Sequence, residues 1–159
     1  MYRIGHGIDV HQFSAGRPLV VGGVGVPHTK GLAGHSDADV VTHAVCDALL
    51  GAVGMPDIGH WFPSSDEQYR GISSMILLDR VMEMLRRDGW RVENIDVTVL
   101  AQAPLLKPYR EKIRASLAAH LGSPVSAVGF KATTTESLGF VGRQEGIEAH
   151  AVCLVVKDP

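Results

Sequence analysis

The chain has 159 residues, of which 45% are hydrophobic and 20% charged, and its formal net charge is −2 with histidine neutral. This size and composition predict one globular domain over residues 1–159. The small negative charge gives no electrostatic reason to expect a nucleic acid or an anionic membrane as partner. No apolar run reaches the roughly 18 residues of a membrane span, and no signal peptide is apparent, so the expected location is cytoplasmic.

Hydrophobic patterns of strand and helix period follow one another along the chain in the order β, β, α, α, β, α, β, β. They predict an α/β (α+β) fold with a single mixed sheet and helices packed on one face. The first helix is expected to take Ser36 or Asp37 as its N-cap and to weaken at Gly51. Two further helices are predicted over 72–87 and 109–121, and strands over 2–13, 19–26 (as a hairpin or a bulged strand), 92–102, 127–134 and 147–157.

The last predicted strand carries apolar residues on the face of the sheet that the helices leave uncovered. Val152, Leu154 and Val156 are examples, since alternate residues of a strand share one face. An apolar face of this kind needs a cover. We therefore expect the chain to associate with copies of itself.

The strand-like stretch Gly7-Ile8-Asp9-Val10-His11 places a carboxylate and an imidazole on one strand face. Together they offer two ligands for a metal ion, and His43 on the first helix is a candidate third. Two histidines and one carboxylate with an open fourth position are typical of catalytic zinc, although manganese or iron accept the same ligands. The alternative is that these are polar residues with ordinary hydrogen bonds, because nothing in the spacing forces helix and strand together.

The segment from Gly34 to Asp39 contains a histidine, a serine and two aspartates, a composition that invites comparison with a hydrolase triad. Triad members come from distant parts of a chain, and no GxSxG motif is present, so we exclude that interpretation. Two interpretations of Ser36 and Asp37 remain open. Their side chains either cap the helix or help bind an anion at its N-terminus.

A second polar segment, from Lys131 to Glu136, has three threonines and a carboxylate at the end of a predicted strand. Such a group suits a phosphate held through a hard metal ion, and the alternative is a β-rich threonine run with a solvated glutamate. The following stretch, from Leu138 to Arg143, adds glycines that allow close backbone approach and an arginine that can bind phosphate.

Short motifs of this kind occur in one order along the whole chain. They are Arg3–His11, Gly22–Val24, His35–Val40, Asp47–Ala52, Asp57–Gly59, Ala101–Pro104 and Lys131–Phe140. With these motifs the chain resembles the 2-C-methyl-D-erythritol 2,4-cyclodiphosphate synthases, a family of enzymes of the non-mevalonate isoprenoid pathway.

The resemblance implies a phosphorus-oxygen lyase that converts 4-diphosphocytidyl-2-C-methyl-D-erythritol 2-phosphate to 2-C-methyl-D-erythritol 2,4-cyclodiphosphate and releases CMP. The nucleophile is then the 2-phosphate of the substrate, which attacks the β-phosphorus between two divalent metal ions. Such a reaction needs positioning and charge neutralisation rather than a protein nucleophile, which agrees with the missing triad. The resemblance also implies a homotrimer with sheets around a central cavity and active sites between neighbouring subunits, which would cover the apolar face.

The same resemblance assigns the site residues. Asp9, His11 and His43 are expected to hold zinc or manganese, and Glu136 a second cation, magnesium or manganese. His35 and Thr134 are the expected catalytic residues, as stabilisers of the transition state. The substrate-binding residues are expected to be Asp9, His11, His35, Ser36, Asp57, Ile58, Gly59, Phe62, Pro63, Ser64, Ser65, Asp66, Ala101, Gln102, Ala103, Pro104, Leu105, Leu106, Lys107, Thr133, Thr134, Thr135, Glu136, Phe140 and Arg143.

Several residues carry separate expectations. Asp47 lies four residues after His43, so it is expected to share that helix face and orient a metal ligand. In several members of the family an arginine lines the central cavity and binds an isoprenoid diphosphate, and the resemblance makes Arg143 the candidate for this role, with Phe140 lining the same cavity. The chain departs from the family at Leu105, where a basic residue is frequent, and at Trp61, where a smaller residue is frequent.

Two other functions use the same residues. A metal-dependent phosphohydrolase would have the Asp9–His11–His43 ligands but would use water as the nucleophile. An isoprenoid-diphosphate binding module would use the trimer cavity and would not need the metal ligands. The presence of all three candidate metal ligands argues against the binding module.

Overall fold

The computed structural model describes residues 1–157, which fold into a mixed sheet with helices against it. The strands are β1 (Tyr2–Ser14), β2 (Leu19–Val21), β3 (Val24–Val26), β4 (Gly31–Leu32), β5 (Trp90–Leu100), β6 (Val128–Thr133) and β7 (Gly146–Lys157). The helices are α1 (Val40–Ala52), α2 (Ile58–Trp61), α3 (Ser74–Arg87), α4 (Arg110–Leu121) and α5 (Gly139–Gly142). The five-stranded sheet has the order β4-β1-β7-β5-β6, in which β5 and β6 are parallel and the other neighbours antiparallel. The predicted mixed α/β fold is confirmed.

Strand β1 lies directly against the backbone of α1, and two glycines make this approach possible. A methyl group placed on Gly5 would lie 1.8 Å from the carbonyl oxygen of Ala48, and one on Gly7 would lie 2.1 Å from that of Ala44. Only a hydrogen atom fits at either position. Because Asp9 and His11 follow on the same strand face, their side chains also point toward α1.

The first helix begins later than the sequence pattern predicts. Its N-cap is Asp39, whose carboxylate accepts the backbone N–H of Thr42 at 3.1 Å, so the assignment of the cap to Ser36 or Asp37 was wrong. Ala38 has a φ of 57°, which keeps the chain out of the helical conformation until after it. The side chains of Ser36 and Asp37 instead accept the backbone N–H groups of Ala38 and Asp39.

Local turn chemistry explains the other differences from the predicted order. The stretch 19–26 is the hairpin β2-β3, in which Gly22 and Gly23 both have positive φ and form the turn. Periodicity missed β4, α2 and α5, which have only two to four residues each and are too short to show a repeat. Within residues 1–157, every helix falls short of the length and apolar character that crossing a bilayer requires.

The outer face of the sheet, opposite α1, is apolar and partly open. Ile4 is 73% exposed, Ile8 49% and Val152 46%. Val156, predicted to share the uncovered face, is instead buried. It stands between Tyr2 and Arg91 in the strand register, and directly opposite residues have close side chains.

Candidate active site

Three candidate metal ligands meet where β1 approaches α1. The Nε2 atom of His11 lies 2.8 Å from Oδ2 of Asp9 and 3.1 Å from Nδ1 of His43. The third side of this triangle, from Nδ1 of His43 to Oδ2 of Asp9, is also 3.1 Å. Among the described residues, these three form the one group of His, Cys, Asp or Glu side chains with ligand atoms close enough to share an ion. The predicted ligand set is therefore brought together, and we call it the metal triad.

The metal triad has the size that a transition metal requires. In a tetrahedral zinc site with bonds of about 2.0–2.1 Å, neighbouring ligand atoms are about 3.3 Å apart. The measured sides of 2.8 to 3.1 Å are close to that value. All three side chains are partly buried. The residues present therefore fit zinc or a similar divalent cation.

Hydrogen bonds set the electrostatics of the metal triad. Burial by itself would raise the pKa of Asp9, but its contacts with His11 and His43 outweigh burial and hold that pKa well below its usual range. Burial would likewise lower the pKa of His11, yet its contact with Asp9 raises it above the ordinary value. Without a metal, the carboxylate is thus charged and its attraction favours a proton on the adjacent imidazole.

This proton competes with a metal ion, and we predict a pH dependence of binding. Metal binding requires neutral His11, so the proton must leave whenever the pH is below the raised pKa. The zinc affinity of the metal-free protein should fall by at least about tenfold per pH unit below that pKa, beginning above the ordinary value of 6.5. Competition with a chelator of known affinity between about pH 5 and pH 8 measures this. An affinity that stays constant down to the ordinary histidine value would contradict the prediction.

In both histidines of the metal triad, the ring nitrogen that faces away from the triad has a hydrogen-bond partner. His11 contacts the carbonyl oxygen of Ala33 through Nδ1 at 2.6 Å, so a neutral ring donates there and leaves Nε2 free for a metal. His43 contacts the hydroxyl of Ser74 through Nε2 at 2.8 Å. Ser74 was missed by sequence reasoning, because no pattern links it to a histidine 31 residues away.

Asp47 does not take the role predicted for it. Its Oδ1 accepts the backbone N–H of Ile58 at 2.7 Å, which ties α1 to the segment that carries α2. Burial raises the pKa of this carboxyl group. The side-chain partners of His43 are instead Asp9, His11, Ser36 and Ser74. Helical spacing predicted the face of α1 on which Asp47 lies, but its carboxylate is bound by the backbone of the neighbouring loop.

The predicted phosphate-binding residues His35 and Ser36 lie beside the metal triad. Oγ of Ser36 is 3.2 Å from Nε2 of His43, and Nε2 of His35 is 3.1 Å from the carbonyl oxygen of Asp66. The guanidinium of Arg17 donates to the carbonyl oxygens of Gly34 and Ser36, each at 2.6 Å. Arg17 was also missed, and it fixes the backbone on both sides of His35.

The segment from Asp57 to Asp66, predicted to cover the substrate, belongs to the same part of the molecule. Asp57 caps α2 by accepting the N–H of His60, and Asp47 holds the N–H of Ile58. Phe62 packs edge-on against Tyr69 at 5.5 Å between ring centroids. Together with the contact of His35 to Asp66, these bonds place the segment next to the metal triad.

A cavity of about 420 Å³ gathers the residues predicted to bind the nucleotide. It lies where β5 and β6 end. Its predicted lining residues are Ala101, Gln102, Ala103, Pro104, Leu105, Leu106, Lys107, Thr133 and Thr134, and it adds Arg110, Phe130, Lys131 and Ala132. We call it the nucleotide pocket. Leu105 is 73% exposed, so little of its apolar surface is buried by the rest of the chain.

The threonine-glutamate segment continues from the rim of the nucleotide pocket. Oγ1 of Thr134 donates to Oε1 of Glu136 at 3.2 Å and accepts the backbone N–H of Glu136 at 3.3 Å. Glu136 and Ser137 both have positive φ, at 51° and 64°. For residues other than glycine this backbone conformation is uncommon and often marks functional segments. Both the threonine and the carboxylate are exposed.

The metal triad and the nucleotide pocket do not meet within one chain. The strand register aligns Val10, Glu148, Leu100 and Thr133 in a row across the sheet. Three strand spacings, about 14 Å, separate β1 from β6 along that row. The predicted site residues therefore fall into two groups at the same height but on different strands.

Phe140 and Arg143 line a second cavity, of about 660 Å³, that His11 also lines. Val10, Gln12 and Lys30 also contribute to its wall. The guanidinium of Arg143 pairs with Glu145 through contacts of 2.9 and 3.1 Å. The two predicted cavity residues are thus brought together, and one of them already has a carboxylate partner.

Comparison with known proteins tests the resemblance. The model of the YgbB family matches residues 2–156. A curated relative from Thioalkalivibrio sulfidiphilus (strain HL-EbGR7), named 2-C-methyl-D-erythritol 2,4-cyclodiphosphate synthase, is 56% identical over 153 residues, which are 96% of either chain. The chain belongs to the YgbB family of cyclodiphosphate synthases. The predicted family is confirmed, and so is the prediction of a lyase that forms a cyclodiphosphate.

Solved structures agree with this assignment. The bifunctional IspDF from Campylobacter jejuni has a TM-score of 0.96 at 39% identity, over 99% of this chain and 43% of that one. The IspF of Plasmodium falciparum, in a CDP complex, has a TM-score of 0.88 at 30% identity, over 99% of this chain and 97% of that one. The family fold therefore extends over the whole described chain.

Proposed function

We propose that the chain cyclises 4-diphosphocytidyl-2-C-methyl-D-erythritol 2-phosphate to 2-C-methyl-D-erythritol 2,4-cyclodiphosphate with release of CMP. The observation that carries this proposal is the metal triad, three ligand atoms 2.8 to 3.1 Å apart in a chain 56% identical to a protein named as that synthase. When bound, a zinc or manganese ion on the metal triad and a magnesium or manganese ion at Glu136 would neutralise the charge of the phosphates. The remaining chemistry belongs to the substrate and to this chain's side chains.

The reaction needs no nucleophile from the protein. An oxygen of the substrate 2-phosphate attacks the β-phosphorus, and the new phosphorus–oxygen bond closes the ring. The bond between the β-phosphorus and the bridging oxygen breaks, and that oxygen leaves on the α-phosphate of CMP. His35 and Ser36 hold phosphate oxygens on the side of the metal triad, and Thr134 on the side of the nucleotide pocket. His35 and Thr134 stabilise the transition state as donors, because charge accumulates on the phosphate oxygens between them.

Nucleotide binding is assigned to the nucleotide pocket, and the CDP complex of the Plasmodium falciparum relative supports a cytidine nucleotide as the ligand. The pocket is lined largely by the segment from Ala101 to Lys107, whose backbone amides and carbonyls offer both donors and acceptors to a base. Leu105 cannot replace a basic side chain, so recognition rests on the backbone, with Lys107 as the nearby cation.

The separation of the two groups of site residues supports an assembly. A site shared between neighbouring subunits would bring the metal triad of one copy to the nucleotide pocket of the next, and a ring of three such copies is the homotrimer that we propose. The apolar outer faces of the sheets would then surround a central cavity. We also propose that Phe140 and Arg143 face this cavity, where an isoprenoid diphosphate would find an apolar wall and a cation.

Water labelled with ¹⁸O separates cyclisation from hydrolysis, the alternative that the same ligands permit. We expect neither the cyclic product nor CMP to contain ¹⁸O, because the attacking oxygen comes from the substrate. Mass spectrometry of both products after complete turnover measures this. A metal-free sample treated with chelator is the control, and it should form neither product. An ¹⁸O atom in a phosphate product would refute the cyclase and favour the phosphohydrolase.

A further inference from the structure

The ring of His43 has a second nitrogen, Nε2, which points away from the metal triad and into the protein. It lies 2.8 Å from the hydroxyl oxygen of Ser74, in the first turn of α3. Ser74 is fully buried, so water does not compete for this contact. The polarity of the contact decides which nitrogen of His43 carries the proton of the neutral ring.

Asp37 fixes that polarity. The Ser74 hydroxyl donates its proton to Oδ1 of Asp37, and the backbone N–H of Ser74 donates to Oδ2 at 3.1 Å. An ionised carboxylate only accepts hydrogen bonds, and a serine has a single hydroxyl proton. The Asp9 carboxylate, 3.1 Å from Nδ1, favours the other tautomer, but since the Ser74 proton goes to Asp37, the serine oxygen presents a lone pair to His43 and favours a proton on Nε2. The unprotonated Nδ1 then faces Asp9 and His11.

Ser36 is less suited to this role. Its hydroxyl oxygen lies 3.2 Å from the same Nε2 and accepts the backbone N–H of Ala38 at 3.1 Å. Among the described residues its hydroxyl has no carboxylate partner, and it lies 3.4 Å from the hydroxyl oxygen of Ser74, where either oxygen can donate, so the Ser36 proton has no fixed acceptor. The contact of Nε2 with Ser74 is shorter, at 2.8 Å, and Asp37 fixes its polarity.

We propose that Ser74, oriented by Asp37, is a positioning residue that holds His43 as the Nε2–H tautomer and so presents the Nδ1 lone pair to a divalent cation. The inference rests on the proposed function, because it assigns a purpose to the metal triad. It extends the site to two residues that touch neither the cation nor the substrate. His11 needs no equivalent pair, since the carbonyl of Ala33, which only accepts, performs the same task.

The test compares Ser74→Ala with the wild-type chain. Loss of an outer partner of a ligating histidine costs about 10- to 100-fold in metal affinity, and we expect the zinc dissociation constant to rise by that factor. Competition between the full-length metal-free protein and a chelator measures it. Ser73→Ala is the matched control, because it removes the neighbouring hydroxyl, which caps α3, without touching His43. Its zinc affinity should equal that of the wild type.

A second measurement reads the tautomer directly. In ¹⁵N NMR of the metal-free wild-type protein, neutral His43 should show a protonated Nε2, and Ser74→Ala should shift it toward a mixture of tautomers. A wild-type ring protonated at Nδ1 would overturn the inference even if Ser74→Ala failed to fold. Unchanged affinity in Ser74→Ala, or an equal loss in Ser73→Ala, would overturn it while leaving the proposed function intact. A wild-type chain that binds no zinc would overturn the metal triad and this inference together.

Discussion

Replacing His43 with alanine is expected to lower turnover by about three orders of magnitude or more, because a cation that neutralises the diphosphate contributes several kcal/mol to the transition state. The variant loses one of three ligands that now lie within 3.1 Å of one another, so its zinc occupancy should fall in parallel. Steady-state kinetics with elemental analysis of the purified protein measures both quantities.

The fold should survive His43→Ala. The histidine side chain is 13% exposed and sits at the edge of the core, where its removal breaks hydrogen bonds but leaves the apolar cluster intact. His120→Ala is the matched control, because His120 lies on α4 and pairs only with Asp79 among the partners described for it. Its activity and metal content should match those of the wild type. Both variants should also elute at the wild-type mass, which we expect to be three times the chain mass of 17.0 kDa. Full activity with metal retained in His43→Ala would refute the ligand assignment.

Replacing Gly7 with alanine should be among the most damaging small substitutions in the chain. The added methyl group would lie 2.1 Å from the carbonyl oxygen of Ala44 and 2.6 Å from the backbone nitrogen of Ala48. Backbone atoms of a helix cannot yield singly, so α1 must move away from β1 as a unit. We expect a loss of stability of about 3 kcal/mol or more, the upper end of overpacking.

Gly25→Ala separates the close approach from the general effect of replacing a glycine in a strand. Gly25 lies in β3 with nothing near the position of an added methyl group, so its free energy of unfolding should change by only about 0.5 kcal/mol. Denaturant unfolding at one fixed protein concentration compares the two variants, because an oligomer's stability depends on concentration. If Gly7→Ala folds, its zinc affinity should also drop, since His43 moves with α1. Equal stability of the two variants would show that the helix does not lie this close.

The two candidate ligands on β1 could be predicted because strand parity alone decides that Asp9 and His11 share a face. The contact with His43 could not, since a spacing of 32 residues or more says nothing about how close a helix lies to a strand. A signal was nevertheless present. Gly5 and Gly7 precede Asp9 on the same face, and two glycines at strand spacing indicate that a backbone approaches there.

Residues that act through tertiary contacts were beyond the reach of sequence patterns. Ser74 belongs to a helix and Arg17 to a turn, and the sequence predicts both elements. Their hydrogen-bond partners, however, depend on how the elements pack. Asp47 shows the converse. Its helix face was predicted correctly, and its partner Ile58 comes from a loop whose path no periodicity encodes.

The side-chain pattern of β1 also favours one register against β7 during folding. Its residues facing α1 alternate with Ile4, Ile8 and Val10, which point to the outer face. Because side chains alternate, a slip of one residue against β7 would exchange the two sets. His6 and one isoleucine would then occupy the two positions where only a hydrogen atom fits, and α1 could not dock. A misaligned chain is thus rejected by the contact that the glycines permit, and every chain that docks α1 has already put Asp9 and His11 on the face toward that helix.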